Sequence, residues 1–213
     1  MPNYIGFSAD QKLRMETAAD WAKGCLDAAL SVVFEDNDLF RGRLGKYITA
    51  LGSGQKWGDI SSLVMKTICS MKIVIDSDLY KVQLEPQANS PNTNAAMCSW
   101  KQDMTAQGRM LGTMQFDGKR MNVLEAQMGF VAKSGASKLS VYPLFFKLPF
   151  YAPETQCQVQ SFLHELSHCA AGTVDYTDGG INPYGMTGVR ACMRRGKSAQ
   201  NAENISMFLA TFA

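Results

Sequence analysis

This chain of 213 residues contains two histidines, and they stand four residues apart, at His164 and His168. That spacing constrains the fold more than any other feature of the sequence. In an α-helix, residues i and i+4 lie one turn apart on the same face. Two imidazoles so arranged can both reach a single zinc ion, with bonds of roughly 2.0–2.1 Å. Glu165 directly follows the first histidine and sits beside the pair, where it can take a proton from a water on the metal without being a ligand. The segment His164-Glu165-Leu166-Ser167-His168 is therefore an HExxH arrangement. Such a pattern also arises by chance on surface helices. Here Val159, Phe162, Leu163 and Leu166 give the same segment an apolar face, as a buried helix needs, and no histidine is used elsewhere.

A catalytic zinc takes three protein ligands and keeps one position open. The third ligand cannot be a histidine, because none remains. Cys169 adjoins His168 but points about a quarter-turn away on an ideal helix, which is poor geometry. Asp175 and Asp178 lie just beyond, and Gly172 allows the chain to turn back toward the pair. Spacing alone does not choose between the two aspartates.

The rest of the composition narrows the alternatives. Apolar residues at 46% and charged residues at 19% describe an ordinary globular chain, long enough to bury a substantial core. A net charge of +2, with lysines and arginines scattered, does not argue for nucleic acid. The small basic group Arg194, Arg195 and Lys197 reads as a solvated turn. No apolar run is long enough for a membrane span. Met1 to Asp10 lack a basic stretch followed by an apolar one. That fits a protein cytosolic when made, one exported without a cleaved signal, or a chain trimmed at its start; the expectation is a protein secreted or delivered out of the producing cell. The six cysteines are widely spaced and form no CxxC pair, which argues against a zinc knuckle and leaves disulfides and free thiols both open.

Patterning gives the elements. Ser8 and Gln11 form a capping box ahead of a long helix with Ala18, Trp21, Ala22, Cys25, Ala29, Val32 and Val33 on its buried face, ending near Phe34. A second helix is expected from about Asp59 to Met71, and a loop over Gln87 to Asn94. Strands are expected at Asn122 to Ala132 and Lys138 to Lys147, joined by a turn over residues 133–137. Thr155 and Gln158 suggest another capping box, opening a helix from about Gln156 to Ala170. A glycine-rich loop, Asp178 to Gly188, and a last helix from near Ser198 to about Phe212 complete the reading.

Past the HExxH segment, the run Gly172-Thr173-Val174-Asp175-Tyr176 resembles the GTxD signature of the aspzincins, the deuterolysin and peptidyl-lysine metallopeptidase family. Val141-Tyr142-Pro143-Leu144-Phe145-Phe146-Lys147 resembles the family's strand leading toward the active helix. Asn201-Ala202-Glu203-Asn204, followed by Phe208, is similar to its segment near the C-terminus. The likeness is specific over about Lys138 to Phe212 and loose before that. It implies a zincin-like α+β fold in a single catalytic domain spanning 1–213. Residues 1–80 would be mainly helical. Residues 81–150 would supply loops and a small mixed sheet whose edge strand lies over the HExxH helix. Residues 151–213 would hold the zinc helix, the GTxD loop and a C-terminal helix.

The resemblance also implies roles. One Zn2+ would be held by His164, His168 and Asp175, with Glu165 as general base. In the family a Tyr-Gly pair follows soon after the aspartate, and its tyrosine stabilises the tetrahedral intermediate. Here Tyr184-Gly185 comes later, after an insertion that includes Gly179-Gly180 and Pro183. Tyr184 is the residue expected in that role, with Tyr176 as the alternative. Lysine-specific members bind the substrate lysine with acidic residues near the C-terminal segment. Glu203 matches one of them, but Ser206 stands at the other, so strict lysine specificity does not carry over. The expected activity is zinc-dependent endopeptidase action on protein or peptide substrates. The substrate would add as a strand to a sheet edge supplied by Lys138 to Phe146 or by its neighbour from Asn122. Two alternatives differ in class. One is a toxin-like protease with a narrow protein target, whose partner would be an inhibitory or immunity protein. The other is a metal-stabilised, non-catalytic binding module, though structural zinc sites usually have four ligands and are rich in cysteine.

Overall fold

The computed structural model describes residues 3–33, 38–48, 57–76, 80–84, 96–99, 113–116, 119–122, 137–180 and 182–213. Helix α1, Ala9–Val33, starts at the expected box. The Ser8 amide donates to Gln11 Oε1 at 3.0 Å, and the Gln11 amide donates to Ser8 Oγ at 3.3 Å. Its inner face buries Met15, Ala18, Ala22, Cys25, Leu26, Ala29 and Leu30. Trp21 sits at the border of that face, part-exposed and edge-on to Phe150 at 5.3 Å.

A further helix that patterning did not reveal, α2, spans Asp38–Tyr47 and buries Phe40, Leu44 and Tyr47. Three apolar positions at spacings of four and three suffice to dock it, and Asp38 in its first turn suits the positive end of the helix dipole. Helix α3, Trp57–Asp76, outruns the expected end at Met71, because Val74 and Ile75 extend the buried face. Its last turn is tied to α1. Lys72 lies 2.8 Å from Asp27 and 2.9 Å from Asp76, and Lys23 lies 2.6 Å from Asp76.

The fold is α+β, with helices packed around a small mixed sheet. Strands β1 (Asn3–Ile5), β2 (Tyr80–Leu84), β3 (Ala96–Ser99) and β6 (Ser137–Val141) form it in the order β1-β2-β6-β3. The first three in that order run parallel, and β3 pairs antiparallel with β6 along one edge. Val82, Leu139 and Val141 are buried in the core. Strands β4 (Thr113–Phe116) and β5 (Lys119–Asn122) make a separate antiparallel pair.

The strand expected over Lys138 to Lys147 ends early. After Val141 the chain enters a 3-10 helix, Pro143–Lys147, because proline has no N–H for a ladder and its fixed φ suits a helical start. β6 is also an interior strand, so it offers no free edge; that position falls to β3. Of the strand expected at Asn122 to Ala132, only Asn122 is described, as the last residue of β5. The remainder, residues 133–136 of the turn and the loop at 87–94 lie outside the described residues.

Helix α4, Gln158–Ala171, runs through the middle of the molecule and is buried along nearly its whole length. The capping box expected from Thr155 and Gln158 does not form. Cys157 is the N-cap and its Sγ accepts from the Gln160 amide at 3.4 Å, while the Gln158 side chain donates to the Leu148 carbonyl at 3.0 Å. Just upstream, Glu154 adopts φ 59° and is held by the Lys46 ammonium and the Tyr47 hydroxyl, which joins α2 to the approach of α4. Helix α5, Gly185–Arg194, occupies the end of the region read as a glycine-rich loop, with Val189 and Cys192 as its buried anchors. The last helix is split at Asn201 into a 3-10 turn, Ser198–Gln200, and α6, Ala202–Ala210. Cys25, Cys69, Cys157 and Cys192 are free and buried, whereas Cys169 is disulfide-bonded, so both cysteine states occur. Burial pushes the Cys25 and Cys69 thiols up to about 12, which makes them packing groups and not nucleophiles. Among the described residues, no helix is long and apolar enough to cross a membrane.

Candidate metal centre

The centre is built by the end of α4 and the chain that turns back from it. Gly172 caps α4 in the left-handed region, φ 64° and ψ 30°, which glycine adopts without a Cβ penalty. The chain then runs beside the segment before α6. The Val174 amide donates to the Gln200 carbonyl at 3.0 Å, and the Ala202 amide donates to the Val174 carbonyl at 3.1 Å. The Asn201 side chain accepts from the Tyr176 amide at 3.2 Å. These bonds hold residues 174–176 in place and bring Asp175 over the two histidines.

His164 Nε2 lies 3.2 Å from His168 Nε2 and 3.2 Å from Asp175 Oδ1, and His168 Nε2 lies 3.5 Å from Asp175 Oδ2. One ligand atom from each of the three residues falls within 4.8 Å of the others. The partners of the opposite ring nitrogens decide what this cluster is. His168 Nδ1 sits 2.6 Å from the Thr173 carbonyl, which can only accept, so that nitrogen carries the hydrogen. His164 Nδ1 sits 3.0 Å from the buried carboxylate of Glu203 and donates to it. In their neutral form both rings therefore aim a lone pair from Nε2 toward the same point, beside a carboxylate. Asp175 Oδ1 is buried there without a well-directed hydrogen bond. Lone pairs and a carboxylate so gathered repel one another unless a cation lies between them. Two imidazole nitrogens and one carboxylate oxygen are a donor set suited to zinc, with each ring oriented by an outer hydrogen bond.

The titration behaviour agrees. Burial disfavours charge on His164, but hydrogen bonds to Asp175 and Glu203 outweigh it and raise the ring to about 10, so the metal-free protein gathers a proton where a cation fits. Burial also opposes charge on Asp175, yet the hydrogen bonds from His164 and His168 prevail and hold its carboxyl well below the usual range.

Tyr184 joins this group. Its hydroxyl donates to Asp175 Oδ2 at 3.0 Å, and its ring stacks on His164 with centroids 6.0 Å apart and planes 29° apart. Burial and then the charge of Asp175 push its phenol above the ordinary value, so it stays a donor. The Tyr176 hydroxyl donates instead to Gln200 Oε1 at 2.9 Å. Asp178 belongs to a short 3-10 turn, and its side chain lies outside the described residues. Glu165 is buried next to His164, and its charge adds to the upward shift of that ring. Glu203 is buried as well and accepts three hydrogen bonds, from Gln160 Nε2, His164 Nδ1 and the Gly185 amide.

Residue type alone does not disclose four contributions: those of the Thr173 carbonyl, the Gln160 side-chain amide, the Asn201 side chain and the Gly185 N–H. The first and last are backbone atoms, which residue type does not report. Asn201, in N-cap position before α6, is the one with a recognisable local signal.

No protein-family model matches the chain, and no curated protein matches it. The fold matches that of a zinc peptidase from Grifola frondosa with a TM-score of 0.63 at 16% identity, over 96% of this chain and 97% of that one.

Proposed function

We propose that this chain is a zinc-dependent endopeptidase of the aspzincin type, acting as one catalytic domain over residues 1–213. The observation that carries the proposal is the convergence of two imidazole lone pairs and the Asp175 carboxylate on one point beside Glu165. The fold it shares with a zinc peptidase supports the same reading.

In this reading His164, His168 and Asp175 hold the ion. When bound, zinc supplies Lewis acidity: it polarises a peptide carbonyl and makes a water more acidic. The protein's own groups do the rest. Glu165 removes a proton from the attacking water and hands it to the leaving amine. Tyr184, kept protonated by burial and by Asp175, turns its hydroxyl to the carbonyl oxygen as negative charge develops there. Strand β3 is the antiparallel edge of the sheet and lies near α4, so an extended substrate would add to it as a further strand.

Mass spectrometry of a digested peptide library, incubated with the protein with and without chelator, tests this. Cleavage that stops with chelator and returns with zinc is expected. Cleavage indifferent to chelator, or a zinc-loaded protein that cuts nothing, would refute it.

A further inference from the structure

Glu203 holds a position that substrate binding does not explain. It is 4% exposed, and three donors from the protein converge on its carboxylate. Oε2 accepts from Gln160 Nε2 at 2.9 Å and from His164 Nδ1 at 3.0 Å; Oε1 accepts from the Gly185 amide at 2.8 Å. An ionised carboxylate has about four acceptor positions, so three are already filled. Gln160 is itself fixed by a second bond, to Ser206 Oγ at 2.9 Å. The donors come from α4 and from the first residue of α5, while Glu203 stands on α6, so this one side chain joins three helices.

We infer that Glu203 is a positioning residue that sets zinc affinity and the placement of Tyr184, and that it does not read the substrate's side chain. This rests on the zinc reading above. By accepting from Nδ1, the carboxylate fixes the tautomer of His164 and aims Nε2 at the point shared with His168 and Asp175. By accepting from Gly185, it holds the peptide that follows Tyr184, whose ring stacks on His164 and whose hydroxyl meets Asp175. One carboxylate thus ties a ligand ring to the residue proposed to stabilise the oxyanion. A substrate ammonium group would have to displace those donors and enter a closed space. The preference for basic residues that Glu203 implies by resemblance does not arise from this geometry.

The test uses the full chain with Glu203→Gln, which keeps the size but turns one acceptor into a donor facing another donor. Zinc affinity is measured by competition with a chromophoric chelator, after circular dichroism has verified the fold. The expected result is a roughly 10–100-fold loss of zinc affinity. At saturating zinc, the ratio of kcat/KM for lysyl and alanyl peptides should match wild type. Lys72→Met is the control for a merely structural effect. Its ammonium pairs with Asp27 and Asp76 between α1 and α3, helices that supply no group to the centre, so it should lower stability and leave zinc affinity unchanged. If Glu203→Gln does not fold, Glu203→Asp, one methylene shorter, gives the same readout. Unaltered zinc affinity, or a loss confined to lysyl peptides, overturns the inference while leaving the metal centre intact. A wild-type chain that takes up no zinc removes the centre itself, and the inference with it.

Discussion

Gly188 is a place where one methyl group should disturb the centre from outside it. It lies in α5, four residues after Tyr184, and its amide donates to the Tyr184 carbonyl at 3.3 Å. A Cβ there would stand 2.2 Å from the Pro183 carbonyl carbon, 2.4 Å from its oxygen and 2.5 Å from the Asn182 carbonyl oxygen. Carbon atoms pack best at about 3.5–4.0 Å, so the backbone of 182–183 would have to retreat by about 1 Å or more. Alanine in place of glycine gains about 0.5–1 kcal/mol of helix propensity. Overpacking costs about 1–3 kcal/mol, and contacts this short against backbone belong at its upper end of about 2–3, so the clash wins and Gly188→Ala destabilises by about 1–2 kcal/mol. At about 2–4 °C per kcal/mol for a chain of this size, Tm should fall by roughly 2–8 °C. Turnover should suffer more than stability. The displaced residues lead directly into Tyr184, and a misplacement of about 1 Å can cost on the order of 10²-fold in rate. Differential scanning calorimetry and steady-state kinetics on one peptide, at a temperature where both proteins are folded, separate the two effects. An unchanged or raised Tm would refute the steric argument. A lowered Tm with full kcat would refute the role of Tyr184.

The remaining expectations concern the ligands and the base. Glu165→Gln should keep its zinc and lose about 10²–10⁴-fold in kcat, the usual worth of a general base; metal analysis beside a casein assay checks this, and wild-type turnover would remove Glu165 from the role. Asp175→Ala should lose the metal while Asp178→Ala retains it, measured by zinc content after dialysis, and the opposite result would assign the third ligand to Asp178. The last expectation concerns pH. Because His164 is raised from 6.5 to about 10 in the metal-free protein, its proton stabilises that form fully below pH 6.5, and the contribution fades as pH rises toward about 10. Zinc must displace the same proton, so apparent zinc affinity should increase with pH across that window. Urea melts of chelated protein and zinc titrations at several pH values test both signs, and a flat profile in either would contradict the proton assignment.

What the sequence disclosed was local. The HExxH pair, the apolar face of α4 and the stop at Gly172 all follow from a 3.6-residue period and one glycine, so they were legible without a structure. The end of β6 was legible too, since Pro143 marks it, although the strand expected there runs on to Lys147. Other features depend on distant contacts. Glu203 meets His164 across 39 residues, and nothing near Glu203 in the chain reveals that its carboxylate is already engaged. Cys157 displaced Thr155 as the cap because Pro149 and Phe150 carbonyls receive the next amides and fix where the helix begins. Helix α2 carries few apolar positions and two glycines, so its existence rests on what it docks against, whereas α5 has Met186, Val189, Cys192 and Met193 at helical spacing, a pattern interrupted by Gly185 and Gly188.

The pairing of residues 174–176 with the stretch before α6 also bears on how this protein can change. It clamps both ends of the intervening excursion, much as a hem secures a fold of cloth. Material added inside the excursion therefore leaves Asp175 where it is. The added cost is mainly loop-closure entropy, about 0.6 kcal/mol for each doubling of length. Gly179-Gly180 and the residues around them lie in that tolerant stretch, ahead of the point where Gly185 is tied to Glu203. For engineering, a recognition loop grafted at Gly179-Gly180 would enter the chain between Asp175 and Tyr184, outside the pairing that holds residues 174–176.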